Sequence, residues 1–292
     1  MLEMSQLARA DLNTLRLQQR LRDYAKERIA PAVPRSDWRE AQARLHQLSL
    51  EEGAFLEEHR ARVESRAAAA PFEADRFVRW FEELKASGPG QHDHLFPWLS
   101  SEASMEQMKW FLAQEVAGEA GFEDLTALAQ LRLDGRPKLE MARNYWDEMG
   151  RGNANGMHGP LLGVLTKELG LEVDAPTIES LALANMMAGL ALNRRYAYHA
   201  IGALGVIELT APDRAAHVNA GLKRLGVSAR VRHYFALHAV LDVRHSEAWN
   251  AEVLRPLVEE DPRVAPYLAE GALMRLECGA ACFQRYRTEL WR

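Results

Sequence analysis

The chain has 292 residues, of which 48% are hydrophobic and 26% charged, a composition that supports one large folded domain or one domain with an extension. The formal net charge of -5 and the absence of a basic cluster interleaved with aromatics argue against a nucleic-acid partner. No run of 18 apolar residues is present: the longest tract, Leu181 to Leu192, is short and interrupted by Asn185, so no membrane span is expected. The first residues, MLEMSQLARADLNTLRLQQ, are charged and lack the apolar core of a signal peptide. Two cysteines, Cys278 and Cys282, stand four apart and fit neither a disulfide framework nor a thiolate zinc site, which points to a reducing cytoplasm.

Ala, Leu, Glu and Arg dominate, β-branched residues are sparse and alternating strand patterns are missing, so the expected class is all-α. Residues 1–70 read as two or three polar-rich helices broken near Pro31 and Pro34. Residues 72–86 form an amphipathic helix that stops at Ser87-Gly-Pro-Gly90, and the loop carrying His92, His94 and Pro97 follows. Ser104-Met-Glu-Gln107 is a capping box that predicts a helix to about Leu131. Asp134-Gly135 turns the chain into a helix from about Pro137 to Glu148, which Gly150, Gly152 and Gly156 interrupt before it resumes near His158. A long helix is predicted from Pro176 to about Glu208, ended by Thr210-Ala-Pro-Asp213, with a short helix over 213–224. The next covers about 227–258 and the last about Pro266 to Trp291. The expected organisation is an N-terminal helical extension over 1–75 and a helical bundle domain over 76–292.

The feature that bears on function is His238-Ala-Val-Leu-Asp242-Val-Arg-His245. Offsets of 0, 4 and 7 on an α-helix at about 100° per residue fall within roughly 60° of one another, so two imidazoles and a carboxylate point the same way. That donor set suits non-heme iron, manganese or zinc inside a helical bundle. The competing view is a pair of core histidines, one of them oriented by Asp242. Arg244 apart, no positive side chain adjoins the triplet to offset its charge, so the helix near Asp242 is expected to be strained or partly disordered when metal is absent.

Four further stretches join this triplet. Glu148 and His158 lie ten residues apart, which on an ideal helix separates them by about 15 Å along the axis and about 80° around it. They meet only if the helix opens, and Gly150-Arg-Gly-Asn-Ala-Asn-Gly156 supplies the opening. Glu208 stands in an apolar run, where a charge needs a partner or a solvent boundary. Glu115, Glu119 and Glu123 follow at i, i+4 steps, so one or more can face the interior. His233 is offset by about 140° from His238 and is expected to miss the cluster. His199, among Arg194, Arg195, Tyr196 and Tyr198, reads as a core or surface residue. Arg143, Arg194, Arg195 and Tyr198 are candidates to hold a substrate carboxylate.

Glu148, His158, Glu208 and His238-x-x-x-Asp242-x-x-His245, with the flanking words Asn144-Tyr-Trp-Asp-Glu-Met-Gly, Tyr234-Phe-Ala-Leu-His238 and His245-Ser-Glu-Ala-Trp249, resemble the heme-oxygenase-like diiron oxidases and oxygenases. The resemblance covers roughly residues 90–290 and leaves 1–75 outside. It implies a heme-oxygenase-like helical bundle holding two Fe(II) ions with O2 as co-substrate, and a small amine, amino acid or fatty-acid-like substrate. It further implies seven metal ligands: Glu119, Glu148, His158, Glu208, His238, Asp242 and His245, with Glu115 and Glu123 as alternatives to Glu119. The competing expectations are a metal-free enzyme of the same fold, thiaminase-like or a cofactor-free oxidase, or a non-enzymatic helical interaction protein, with a homodimer through residues 1–75 as a candidate assembly. A true heme oxygenase would need an early proximal histidine, and His46 and His59 lack a supporting motif.

Overall fold

The computed structural model describes residues 2–119 and 121–292, with side chains from residue 14 onward, and holds no strand among them. The helices in chain order are α1 (Leu2–Ile29), α2 (Trp38–Ala67), α3 (Ala74–Ser87), α4 (Leu95–Ser101), α5 (Met105–Gly118), α6 (Phe122–Ala129), α7 (Gly135–Glu148), α8 (His158–Leu169), α9 (Ile178–Leu192), α10 (Ala197–Arg224), α11 (His233–Trp249), α12 (Arg255–Glu260) and α13 (Ala265–Leu290). None of the described helices is long and apolar enough to cross a membrane.

The centre of the bundle is α10, packed along α11 on one side and α13 on another. Glycines permit this packing. A Cβ built on Gly202 would lie 1.9 Å from the Leu268 carbonyl oxygen, and one on Gly271 would lie 1.9 Å from that of His199. The two helices therefore cross with backbone against backbone, closer than any side chain allows.

Three helices end where local chemistry overrides the long periodicity. The capping box of α5 forms as its sequence demands, with Ser104 Oγ accepting from the Gln107 amide at 3.2 Å and Gln107 Oε1 from the Ser104 amide at 2.9 Å. The predicted single helix to Leu131 is instead split, because Gly121 adopts a left-handed φ of 73° that no α-helix continues through. The predicted helix over 176–208 is also split, at Asn193, whose side-chain oxygen accepts from the Arg195 amide at 3.1 Å and restarts the chain as α10. That helix then runs through Pro212 to Arg224 instead of stopping at Thr210–Asp213. Pro212 removes one backbone bond, but Glu208, Leu209, Thr210, Ala215 and Val218 around it are all buried, and packing outweighs the loss. The predicted helix over 227–258 is likewise three pieces. α11 gives way to a π-helical turn at Asn250–Leu254 before α12, next to Pro256, which has no amide proton to extend the regular ladder. α11 itself is unbroken helix through Asp242.

The two N-terminal helices join the same core. α1 lies against α9 and α2 against α13 and α9, and Leu21, Phe55, Leu56 and Val63 are buried with the bundle's own side chains. Asn185, which interrupts the apolar run of α9, donates from Nδ2 to the backbone oxygen and Oε1 of Gln18, both at 2.8 Å.

The crossing of α10 and α13 gives a direct stability test. Gly202→Ala and Gly271→Ala should each destabilise by about 1–3 kcal/mol through overpacking. Gly163→Ala, in α8 with nothing within 4 Å of the new methyl, should be neutral or stabilise by up to about 1 kcal/mol. Denaturant midpoints of the three variants measure this, and equal effects at all three would refute the close crossing.

Candidate metal centre

Five helices and one helix junction supply the cluster. On α11 the period of the helix turns His238, Asp242 and His245 inward, and all three are buried. Glu148 ends α7 and His158 opens α8. Between them the backbone folds on itself through left-handed residues at Gly150 (φ 61°), Arg151 (φ 53°) and Gly152 (φ 85°). A Cβ on Gly150 would sit 2.5 Å from the Gly156 carbonyl carbon, so only glycine closes this loop. The closure brings His158 Nδ1 to 2.7 Å from Glu148 Oε2. Glu208 reaches the same place from α10, where Asn144 Nδ2 donates to its Oε1 at 2.6 Å.

The residues fall into two halves that share Glu148. Glu148, His158 and His238 can offer donor atoms within 4.8 Å of one another, and so can Glu148, Glu208 and His245. Next to the first half, Glu119 Oε1 lies 2.8 Å from His158 Nε2. The break between α5 and α6 carries Glu123 to the same histidine, so Glu119, Glu123 and His158 form a third such group. Asp242 stands one step behind, accepting from His238 Nδ1 at 2.9 Å. On the far side, Asp147 Oδ2 lies 3.3 Å from His245 Nε2 and fixes that ring from behind. Tyr234 adds its hydroxyl at 3.1 Å from His158 Nε2.

The electrostatics show a centre crowded with negative charge. Burial pushes the Glu208 carboxyl up, and repulsion from Asp242 adds to it, to about 7. Burial works against charging the imidazoles, but Glu119 and Glu148 outweigh it at His158 and raise its pKa well above the usual value. At His245 burial is likewise outweighed, by Glu208, Glu148 and Asp147, and the pKa rises to about 9. His238 is raised by Asp242 against the opposing effect of burial. Protons on three imidazoles thus fill the place of cationic charge.

A metal fits this donor set. His238 Nε2, His245 Nδ1 and Glu123 Oε2 are buried with no hydrogen-bond partner, a condition that costs about 1–3 kcal/mol for each such group. His245 Nδ1 lies 3.4 Å from Glu208 Oε2 and 3.7 Å from Glu148 Oε1, a gap that a shared cation would occupy. Mixed imidazole and carboxylate donors of this number match non-heme iron or manganese, not the thiolate sites of structural zinc.

The substrate candidates chosen from sequence lie elsewhere. Arg143 is exposed and ion-paired with Glu140 one turn away. Arg194 donates to the backbone oxygens of Leu128, Ala129 and Leu131, at 3.2, 3.3 and 2.6 Å, beyond the end of α6. Tyr198 is exposed, and Arg195 pairs with Glu57 at 3.5 Å. None of the four lines the cavity beside the cluster. That cavity, about 130 Å³, takes its cations from Arg214 on α10 and Arg275 on α13. Sequence reasoning missed both, together with Tyr234, Asn144 and Asp147, although Asn144 and Asp147 stand in the same word as Glu148. His199 is buried with its Nε2 2.7 Å from Glu270 Oε2, and His233 is exposed at the start of α11.

Solved structures similar to this one include two of a CADD-like protein of unknown function from Nostoc punctiforme PCC 73102. The first, at 2.00 Å resolution, is 19% identical, covers 74% of this chain and 98% of that one, and has a TM-score of 0.57. The second, at 1.35 Å, is 18% identical over 75% of this chain and 96% of that one, with a TM-score of 0.53. This likeness is one of fold. No curated protein matches the chain. The family model described as an iron-containing redox enzyme matches residues 109–280, a stretch that includes every residue of the cluster from Glu119 to His245. On that match the chain belongs to the family of iron-containing redox enzymes.

Proposed function

We propose that this protein is a non-heme diiron oxidase or oxygenase that uses O2 on a small amine, amino-acid or fatty-acid-like substrate. The observation that carries the reading is the pair of donor groups joined through Glu148, with the imidazole nitrogens of His238 and His245 buried and unpaired. Glu119, His158, Glu148 and His238 would hold one iron; Glu148, Glu208 and His245 would hold the other, with Asp242 beside both. Two Fe(II) ions bound there would supply the electrons and the open coordination positions for O2 activation.

The chain's own residues prepare that place. Asn144 fixes one oxygen of Glu208 and leaves the other toward His245. Asp147 holds His245 Nε2, which leaves Nδ1 to face the shared carboxylates. Asp147 is itself held by Arg151 at 2.6 Å, so the loop that closes α7 onto α8 also sets the orientation of a ring on α11. Phe122 stacks on His158 with ring centroids 5.8 Å apart and covers the cluster on its α6 side. A thiol-based mechanism has no support from the site: Cys278 and Cys282 are buried on α13, where burial pushes the Cys278 thiol up to about 12 and raises Cys282 as well.

Iron content measured by plasma mass spectrometry after anaerobic Fe(II) loading tests the reading. Wild type should bind about two iron ions per chain, His245→Ala about one and Glu148→Ala neither. A Glu148→Ala protein that keeps the wild-type content would sink the shared site.

The raised pKa values give a second expectation. Protons on His245 (to about 9) and Glu208 (to about 7) must leave before a cation enters. Apparent Mn(II) affinity should therefore climb steeply from pH 6 to 9 and then level. In the metal-free protein the same raised values act in the opposite sense. The stabilisation from His245 is complete below its unfolded value of about 6.5 and lost as the pH rises through about 9; that from Glu208 is lost from about 4.5 through about 7. Melting scans with and without Mn(II) should thus diverge as pH rises, and parallel curves would contradict the assignment.

A further inference from the structure

The cavity that borders the cluster has a second, oppositely charged end. Glu119, Glu148, His158, Glu208, His238 and Asp242 line one side of it, and Arg214, Arg275 and Glu115 line another. Phe96, Phe122, Leu183, Ile207, Val218 and Phe283 supply apolar wall. Arg214 Nη2 donates to Thr210 Oγ1 at 3.0 Å, and its guanidinium lies over the Phe283 ring with Cζ 5.5 Å from the centroid. Arg275 has no hydrogen-bond or ion-pair partner among the described residues; its side chain extends along α13 toward Gly279, where a Cβ would meet Nη1 at 2.9 Å. Two guanidinium groups against the single carboxylate of Glu115 leave this end with one positive charge in excess. Burial and repulsion from Arg275 hold the Arg214 pKa down to about 10, so Arg214 remains charged at neutral pH.

A half-buried guanidinium with free donors and an apolar wall beside it is a receptor for a monoanion that carries an apolar body. The cavity volume of about 130 Å³ lies below the range of about 300–1,000 Å³ typical of drug-sized ligands, so the body is small. We propose that Arg275 and Arg214 bind the carboxylate of a small aliphatic or aromatic monocarboxylic acid and so present its distal end, not its carboxylate, to the metal cluster. The proposal rests on the diiron reading above for what happens at that distal end, but the acid site itself needs only the arginines.

Isothermal titration calorimetry of anaerobic Fe(II)-loaded protein with hexanoate, hexanamide and hexylamine tests it, with iron content measured on the same samples. Hexanoate should bind at least about tenfold more tightly than either of the others. Arg275→Gln should weaken hexanoate by about ten- to a hundredfold, with hexanamide little changed and iron content as in wild type, and Arg275→Lys should recover part of the loss. Arg214→Gln should act in the same direction. Arg62→Gln, which alters only an exposed ion pair with Glu58 on α2, should match wild type. No binding of hexanoate, amide or amine bound as tightly as the acid, or wild-type affinity in folded Arg275→Gln would each overturn the proposal. If iron is bound and the acid is not, the acid site alone fails; if no iron is bound, the diiron reading fails, and the comparison of hexanoate with its amide and amine still decides the acid site.

Discussion

The structure is organised around the concentration of carboxylates in a largely buried place. Glu148, Glu208 and Asp242 are each 4% exposed or less, and Glu119 and Glu123 stand at the margin. Like charges at such distances in a low-dielectric interior repel strongly and must be offset locally. The offset comes from within the same set: His158 stands between Glu119 and Glu148, His238 against Asp242, and His245 between Asp147, Glu148 and Glu208. A proton on each ring and a divalent cation in the centre are two ways of supplying the same positive charge. On the proposed reading the folded metal-free state and the metal-bound state would use one arrangement, with pH setting the exchange between them.

That arrangement makes demands on distant parts of the chain. α7 and α8 must meet end to side, which a continuous helix forbids, and the glycine loop at 150–156 supplies the reversal. α10 must lie close enough to α13 for both to reach the cavity, which Gly202 and Gly271 allow. The rear of α10 and α13 is tied to α2 by a further polar cluster: Glu270 Oε2 accepts from Arg60 Nε at 2.8 Å and lies 2.7 Å from His199 Nε2, while the Tyr196 hydroxyl donates to Glu57 Oε1 at 2.7 Å. The N-terminal helices thus brace the two helices that carry Glu208, Arg214 and Arg275, and their polar composition in sequence conceals the buried face they present.

How much of this is legible in sequence depends on the range of the interaction. The His238, Asp242 and His245 stripe follows from the helical period alone, and α11 turns all three inward. The meeting of Glu148 with His158 follows from glycines placed between them. Glu119 and Glu123 are different: they stand one turn apart on an ideal helix, but the left-handed Gly121 breaks the helix and brings both to His158, so periodicity extrapolated across the break cannot rank them. Pro212 misleads in the opposite way, since a local breaker is overruled by buried neighbours on both sides. Arg143, Arg194 and Tyr198 carry groups able to hold a carboxylate, yet each lies at the surface. Arg214 and Arg275 are 61 residues apart and meet only through the α10–α13 crossing, so no local pattern announces them.

The two ends of the cavity would let a site this small be selective on the proposed reading. One end is a carboxylate cluster, the other a guanidinium pair with a single carboxylate, and the wall between them is largely apolar. A field of fixed direction therefore runs across the cavity, strengthened by the low-dielectric helices on its flanks. An acid entering tail-first toward the arginines would place its charge among Glu119, Glu148 and Asp242 and bury it against like charge. Entering with its carboxylate on Arg275, it leaves only apolar carbon near the cluster. On the proposed reading, orientation would be decided by repulsion at one end as much as by attraction at the other. Substrate charge would be read by α10 and α13 together, while α7, α8 and α11 need only keep their donors in place.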